Sequence, residues 1–168
     1  EKILNRVNLK NNGIMIALSG IYNNSGDCVS LDKIIKLSKK YNANVAQENI
    51  MVSPGARFSI FTAITTLLNP GDELIVIEPA WPAYKDCALN SGIKIRTITT
   101  TLEGKWEPSI EQIEKVINPN TKMIVLNYPN NPTGKILPEK LQDAIVNLAI
   151  KNNLYILSDE IYSQYAFK

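Results

Sequence analysis

The stretch NPGDELIVIE, at residues 69–78, contains a helix stop followed at once by the pattern of a buried strand. Proline and glycine in its first four residues end a preceding helix and release an extended run. The next six residues, 73–78, are mostly Leu, Ile and Val without strict polar alternation, as in strands that are covered on both faces. The stretch therefore predicts a strand of a parallel sheet.

The same unit of helix, turn and strand recurs along the chain. Strands are predicted at 50–53, 73–78, 94–99, 122–127 and 154–158, and helical periodicity lies between them, at 56–68, 83–90, 108–117 and 138–151. This alternation predicts the α/β class, as a three-layer α/β/α arrangement around a mostly parallel sheet. We expect an N-terminal loop and helix at 1–49, with the helix at 31–41, leading into a large domain at 50–168.

Composition and charge exclude several function classes. The chain has 168 residues, enough for one domain, and its 45% hydrophobic and 20% charged residues are typical of a soluble globular protein. Its 18 basic and 16 acidic residues give a net charge of +2, so neither nucleic acid nor a membrane is expected as a partner. The absence of histidine excludes His-ligated zinc and histidine-dependent catalysis. Cys28 and Cys87 lack metal-ligand spacing, and no run resembles a signal peptide or a membrane span, so we expect a cytoplasmic protein without a metal site.

Residues that directly follow the predicted strands form the candidate binding site, because ligands of open α/β sheets bind outside the carboxyl ends of the strands. They offer a glycine and an arginine at a helix start, an aromatic ring, a loop amide, and a carboxylate followed by a phenol: Gly55, Ala56, Arg57, Trp81, Asn131, Asp159 and Tyr162. These groups also have structural interpretations, as a tight turn, a core aromatic, a rigid loop and a helix cap. Neither G-x-x-x-x-G-K-[ST] nor G-x-G-x-x-G occurs, so nucleoside triphosphates and NAD have no recognisable site.

Two motifs are more specific: Asn-Asn-Pro-Thr-Gly at 130–134 and Ser-Asp-Glu-Ile-Tyr at 158–162. With the residues above, they resemble the fold-type I, pyridoxal 5′-phosphate (PLP) dependent aminotransferases of class I and II, the aspartate aminotransferase-like family. The resemblance runs from about Tyr22 to Lys168. It implies PLP as the cofactor, amino-group transfer from an amino acid to a 2-oxo acid in amino-acid biosynthesis, and a homodimer of the full-length form.

The resemblance also implies a role for each residue around the cofactor ring. Asp159 pairs with the protonated pyridine nitrogen and keeps the ring an electron sink. Asn131 and Tyr162 hydrogen-bond the phenolic oxygen, and Trp81 stacks on the ring face.

The phosphate of the cofactor is assigned by the resemblance to the start of the helix at 56–68. Gly55, Ala56 and Arg57 match the segment whose amides and side chain hold it. Tyr22 matches the place of a tyrosine that reaches the cofactor phosphate of a neighbouring subunit.

One expected catalytic group does not occur. The Schiff-base lysine of the family lies a few tens of residues beyond the Asp-x-x-Tyr segment, whereas Lys168 is only nine positions after Asp159. We therefore expect no catalytic residue in this chain, which is interpreted as an incomplete part of a PLP-dependent transaminase and as inactive alone. Two alternatives stay open: a non-catalytic truncated PLP-domain module, and a PLP-dependent lyase or synthase of the same family.

The resemblance finally implies the arrangement of the sheet. Neighbouring strands are expected in the order 94–99, 73–78, 122–127 and 154–158. Because the later strands of the family's sheet are missing from this chain, 154–158 is expected at an open, apolar edge.

Overall fold

The computed structural model describes residues 14–17 and 53–162. The predicted helix at 31–41 and Tyr22 lie outside these residues. So does the predicted strand at 50–53, except for Ser53, which is not in a strand.

Strands and helices alternate through the described chain. The strands are β1 (Ile14–Ala17), β2 (Glu73–Glu78), β3 (Lys94–Thr99), β4 (Thr121–Asn127) and β5 (Tyr155–Asp159). The helices are α1 (Ala56–Leu67), α2 (Ala83–Asn90), α3 (Ile110–Val116) and α4 (Glu139–Lys151). The four predicted helices and the predicted strands from 73 onward are thus present, with ends that differ by no more than two residues.

All strand pairs of the sheet are parallel, in the order β1-β5-β4-β2-β3. The expected order of β3, β2, β4 and β5 is confirmed. The expected open edge at β5 is wrong, because β1 pairs with it from Ile14 opposite Ile156 to Ala17 opposite Asp159. Pairing satisfies backbone N–H and C=O groups that an apolar edge strand would leave exposed. No strand is predicted from the sequence at 14–17, since a run of four residues carries little periodic signal.

Helices cover both faces of the sheet, as predicted for a three-layer fold. Successive residues of β2 alternate between the faces, with Leu74 and Val76 on one side and Ile75 and Ile77 on the other. The first side packs against α1 and α2, and the second against α3 and α4. Burying each of these aliphatic side chains contributes roughly 1.5–3 kcal/mol, so the sheet is held by two apolar cores.

A local sequence signal fixes where α3 begins. At α3, the Ser109 hydroxyl accepts a bond from the Gln112 N–H at 3.1 Å, and the Gln112 side chain accepts one from the Ser109 N–H at 2.9 Å. This reciprocal capping box satisfies two amides at the helix start. Within the described residues, no helix has both the length and the apolar character needed to cross a membrane.

Candidate functional site

A cavity of about 460 Å³ opens at the carboxyl edge of the sheet, between the start of α1 and the ends of β4 and β5. Every residue of the predicted cofactor site lines it: Gly55, Ala56, Arg57, Trp81, Asn131, Asp159 and Tyr162. Pro54, Tyr84, Asn127 and Ile161 complete the lining. Positions separated by about a hundred residues in sequence thus meet because parallel strands end at one edge.

The Asp159 carboxyl group lies in this cavity at the end of β5 and is only 3% exposed. One oxygen accepts a hydrogen bond from the Tyr84 hydroxyl at 2.7 Å, and the other accepts one from the Ile161 N–H at 3.3 Å. Burial raises the pKa of Asp159, and these two bonds oppose the rise without cancelling it. Because a carboxylate has about four acceptor positions, it retains capacity for a further donor.

Tyr84 is a site residue that the sequence analysis missed. It lies in the first turn of α2, is 1% exposed, and packs edge-on against Trp81 with ring centroids 5.5 Å apart. Burial and the neighbouring Asp159 charge raise the pKa of its hydroxyl, so it stays protonated and donates. No sequence signal separates Tyr84 from an ordinary core aromatic of an amphipathic helix.

Asn127 is the second residue that was missed. Its buried amide donates to the Asp159 carbonyl at 3.2 Å and accepts the Asn131 N–H at 2.9 Å. It thereby ties the end of β4 to the end of β5. The available signal was a polar residue at the end of the otherwise apolar run of β4. Asn127 is the last residue of the predicted strand, whereas the candidate residues all follow their strands.

Asn131 and Tyr162 lie together on one wall of the cavity. The Asn131 amide donates to the Tyr162 hydroxyl at 3.4 Å. An amide and a phenol at this separation form a pair of donors for one oxygen atom of a ligand.

The start of α1 forms another wall. Gly55 precedes the helix with φ of 94°, a conformation that favours glycine, and the space where a Cβ would stand is open. No side chain caps this helix, and no acidic residue stands in its first turn. The free amides and Arg57 make the wall electropositive, which suits an anionic group.

Trp81 joins this wall to the carboxylate. The Arg57 guanidinium lies 5.0 Å from the centre of the Trp81 ring, as in a cation–π pair. The ring is partly buried, with Tyr84 against it. The described part of the chain holds no cluster of three or more His, Cys, Asp or Glu side chains that could bind a metal ion, and Cys87 is a free thiol.

Comparison with known proteins shows extensive similarity. The family model described as "Aminotransferase class I and II" matches residues 3–168. An aspartate aminotransferase of Thermotoga maritima is 33% identical over 132 residues, which is 79% of this chain and 35% of that protein. An asparagine–oxo-acid transaminase of Streptococcus mutans is 38% identical over 77% of this chain and 33% of that protein.

Solved structures agree with the sequence matches. The crystal structure of the Thermotoga maritima aspartate aminotransferase superposes with a TM-score of 0.70 at 33% identity, over 75% of this chain and 34% of that one. An alanine aminotransferase of Pyrococcus furiosus gives a TM-score of 0.70 at 32% identity, over 78% of this chain and 34% of that one. The chain therefore spans about a third of the length of the relatives it matches.

Proposed function

Because the chain belongs to the class I and II aminotransferase family, we propose that its cavity binds pyridoxal 5′-phosphate and that the whole protein transfers amino groups between amino acids and 2-oxo acids. The observation that supports this proposal most directly is the buried Asp159 carboxylate, which shares one cavity with an amide–phenol pair and an uncapped helix start. Homodimer formation by the whole protein and a cytoplasmic location are part of the same proposal, and both rest on family resemblance.

The residues present fit the chemical groups of this cofactor. PLP has a pyridine nitrogen that gains a proton, a phenolic oxygen and a doubly charged phosphate, and the cavity offers a carboxylate, two donors and an electropositive helix start. Its volume lies within the range of roughly 300–1,000 Å³ that small-molecule sites occupy. When bound, the cofactor supplies an electron sink for negative charge at the substrate Cα.

Asp159 would hold the proton on the pyridine nitrogen. In the structure its pKa is raised by burial, and a cation at hydrogen-bond distance shifts the balance back toward the carboxylate. The Tyr84 hydroxyl keeps one oxygen oriented, so the carboxyl group meets the ring without first reorganising.

Asn131 and Tyr162 would hold the phenolic oxygen, each by one donated hydrogen bond. Asn127 fixes the Asn131 backbone against the end of β5, so the pair keeps a constant position relative to Asp159. The ring nitrogen and the phenolic oxygen would then be held by groups that the same two strands place.

The α1 amides and Arg57 would hold the phosphate. Trp81 would lie along the ring face and exclude water from it. No lysine lines the cavity among the residues that the structure describes, so these residues bind and orient the cofactor and the base that acts at the substrate Cα is not among them.

Titration of the protein with PLP and with pyridoxal tests this assignment. In a Trp106→Phe background the fluorescence of Trp81 reports ring binding, and the difference in affinity between the two compounds reports the contribution of the phosphate wall. Arg57→Gln should weaken PLP binding about tenfold and leave pyridoxal binding unchanged, because only the former carries the phosphate. Absence of PLP binding to the wild-type protein would overturn the proposal.

Assay of the whole protein with pairs of amino acids and 2-oxo acids tests the reaction. The expected products are the exchanged amino acid and 2-oxo acid in equal amounts. Release of ammonia or an eliminated group in their place would assign lyase chemistry and contradict amino-group transfer.

A further inference from the structure

We propose that Asn130 is a positioning residue that couples two walls of the cavity: the loop that carries Asn131 and the segment that leads to Trp81. The role rests on the proposed function only for its effect on cofactor binding. Asn130 is itself outside the cavity lining, is 8% exposed, and acts through its neighbours.

The loop at 130–135 is folded around Asn130. Its N–H donates to the Lys135 carbonyl at 2.9 Å, and its carbonyl accepts the Gly134 N–H at 2.8 Å. Its side-chain oxygen accepts two further bonds from Thr133, from the N–H at 3.2 Å and from the hydroxyl at 2.8 Å. One residue therefore sets the shape of the loop in which Asn131 stands.

The remaining polar atom of Asn130 reaches out of this loop. Its amide nitrogen donates to the Pro79 carbonyl at 3.3 Å. Pro79 follows β2 and stands two residues before Trp81, in a turn whose Ala80 N–H donates to the Glu78 carboxylate at 2.9 Å. The bond thus crosses from the connection after β4 to the connection after β2.

An amide is required for both tasks at once. The oxygen closes the loop by accepting, and the nitrogen holds the neighbouring turn by donating. Asn130 is buried and Pro79 is partly buried, so loss of the donor leaves the Pro79 carbonyl without this partner in a turn that water reaches only in part. Asn127 holds the Asn131 backbone against β5, and Asn130 adds the link from this loop to the segment that carries Trp81, so the width of the cavity between Asn131 and Trp81 depends in part on the Asn130 side chain.

Two substitutions remove the donor and retain an acceptor for Thr133. Asn130→Asp keeps the shape of the side chain, and Asn130→Ser avoids a buried charge and is too short to reach Pro79. Asn152→Asp and Asn152→Ser are matched controls, since the Asn152 amide donates to the Leu148 carbonyl at 2.8 Å at the far end of α4. All four are made with Trp106→Phe, which leaves Trp81 as the single tryptophan.

Acrylamide quenching of Trp81 without ligand is the first measurement. Both Asn130 variants should raise the fraction of molecules in which Trp81 is opened to solvent about fivefold, the factor that corresponds to one lost hydrogen bond. The Asn152 variants should leave this fraction unchanged. The melting temperature should fall further in the Asn130 variants, because Asn130 is buried and its side chain makes three hydrogen bonds, whereas Asn152 is partly buried and its side chain makes one. Quenching in the Asn130 variants that equals the control values would overturn the proposal.

PLP affinity is the second measurement, made on the same proteins. The Asn130 variants should bind PLP about fivefold more weakly than the Asn152 variants. Equal PLP affinity in the two sets would remove the link to the site. If no variant and no wild-type protein binds PLP, the proposed function fails, and the quenching result still decides the coupling.

Discussion

Two buried carboxylates lie at opposite ends of the sheet and have opposite surroundings. Glu73, at the start of β2, is 2% exposed, and Asp159, at the end of β5, is 3% exposed. Equal burial does not give them equal chemistry, because the number of donors around each group differs.

Glu73 is saturated by protein donors. The Arg96 guanidinium donates twice at 2.7 Å, the Asn118 amide once at 2.6 Å and the Thr121 hydroxyl once at 3.3 Å. These bonds, led by that of Arg96, lower the pKa of Glu73 to about 2 against the opposing effect of burial. This carboxylate therefore links the starts of β2, β3 and β4 to one another.

Asp159 receives two bonds, faces a cavity, and has a raised pKa. A filled donor set marks a carboxylate that serves the fold, whereas an incomplete set beside a cavity marks one that can receive a ligand. The carboxylate at the amino edge of the sheet therefore serves the fold, and the carboxylate at the carboxyl edge lines the cavity of the proposed site.

Asp159→Asn is expected to give the largest effect, on binding. It replaces the carboxylate by a neutral group of the same size, so PLP affinity should fall about 100-fold, the upper range for a charge-assisted bond. Stability at neutral pH should not fall, because the substitution removes a buried charge that is costly in the free protein. Fluorescence titration and thermal unfolding measure the two quantities, and an unchanged PLP affinity would contradict the assignment of Asp159.

Glu73→Gln is expected to act in the opposite way, on stability. It leaves Arg96 without its anion, and the free energy of unfolding should fall by about 2 kcal/mol, a value between those for exposed and for buried ion pairs, since Arg96 is half exposed and Glu73 is buried. PLP affinity should stay as in the wild type. Denaturant unfolding checks the first value, and a loss of affinity comparable to that of Asp159→Asn would break the distinction between the two ends.

The two ends also differ in how far the sequence predicted them. Asp159 stands directly after a predicted strand and within a specific motif, so both its place and its family role were accessible. The Glu73 cluster was not, because Arg96 and Asn118 become its neighbours only once β2, β3 and β4 lie side by side.

The residues missed at the site have the same physical origin. Tyr84 reaches Asp159 across 75 positions of sequence, a distance that no local pattern encodes. In contrast, the strand order and the helices on both faces followed from local runs and from the family resemblance. The edge strand β1 was missed because its four residues gain their structure from β5.

Acid unfolding sharpens the comparison further. The lowered pKa of Glu73 means that its stabilising effect is complete above the ordinary value of 4.5 and is lost as the pH falls toward 2. Asp159 acts with the opposite sign: its raised pKa makes stability fall as the pH rises above 3.8. When the pH falls from about 5 to about 3, the free energy of unfolding should decrease by about 1 kcal/mol less in Glu73→Gln than in the wild type, with allowance for solvent screening.

The control for this measurement is Asp159→Asn, which should make the acid-induced loss steeper, because the compensating gain from protonation of Asp159 disappears. Unfolding free energies from denaturant titrations at several pH values provide the data. Identical slopes for the wild type and Glu73→Gln would show that the Arg96 bonds do not hold the charge on Glu73.

Tyr84→Phe is expected to give the smallest effect. It tests whether Tyr84 acts on ligand binding, as Asp159 does, or on stability alone, as Glu73 does. It removes the 2.7 Å bond to Asp159 and keeps the packing of the ring against Trp81. Asp159 then keeps only the Ile161 N–H, its pKa rises further, and PLP affinity should fall about threefold, since one neutral donor is lost. In the wild type the Tyr84 hydroxyl opposes the rise in the Asp159 pKa that burial causes. Without it Asp159 takes up a proton more readily, so the affinity of the variant should fall more at acidic than at neutral pH.

Tyr128→Phe is a suitable comparison, as Tyr128 is also a largely buried phenol with a raised pKa but lies outside the cavity lining. An equal change in both variants would place Tyr84 with the groups that serve the fold, on the side of Glu73.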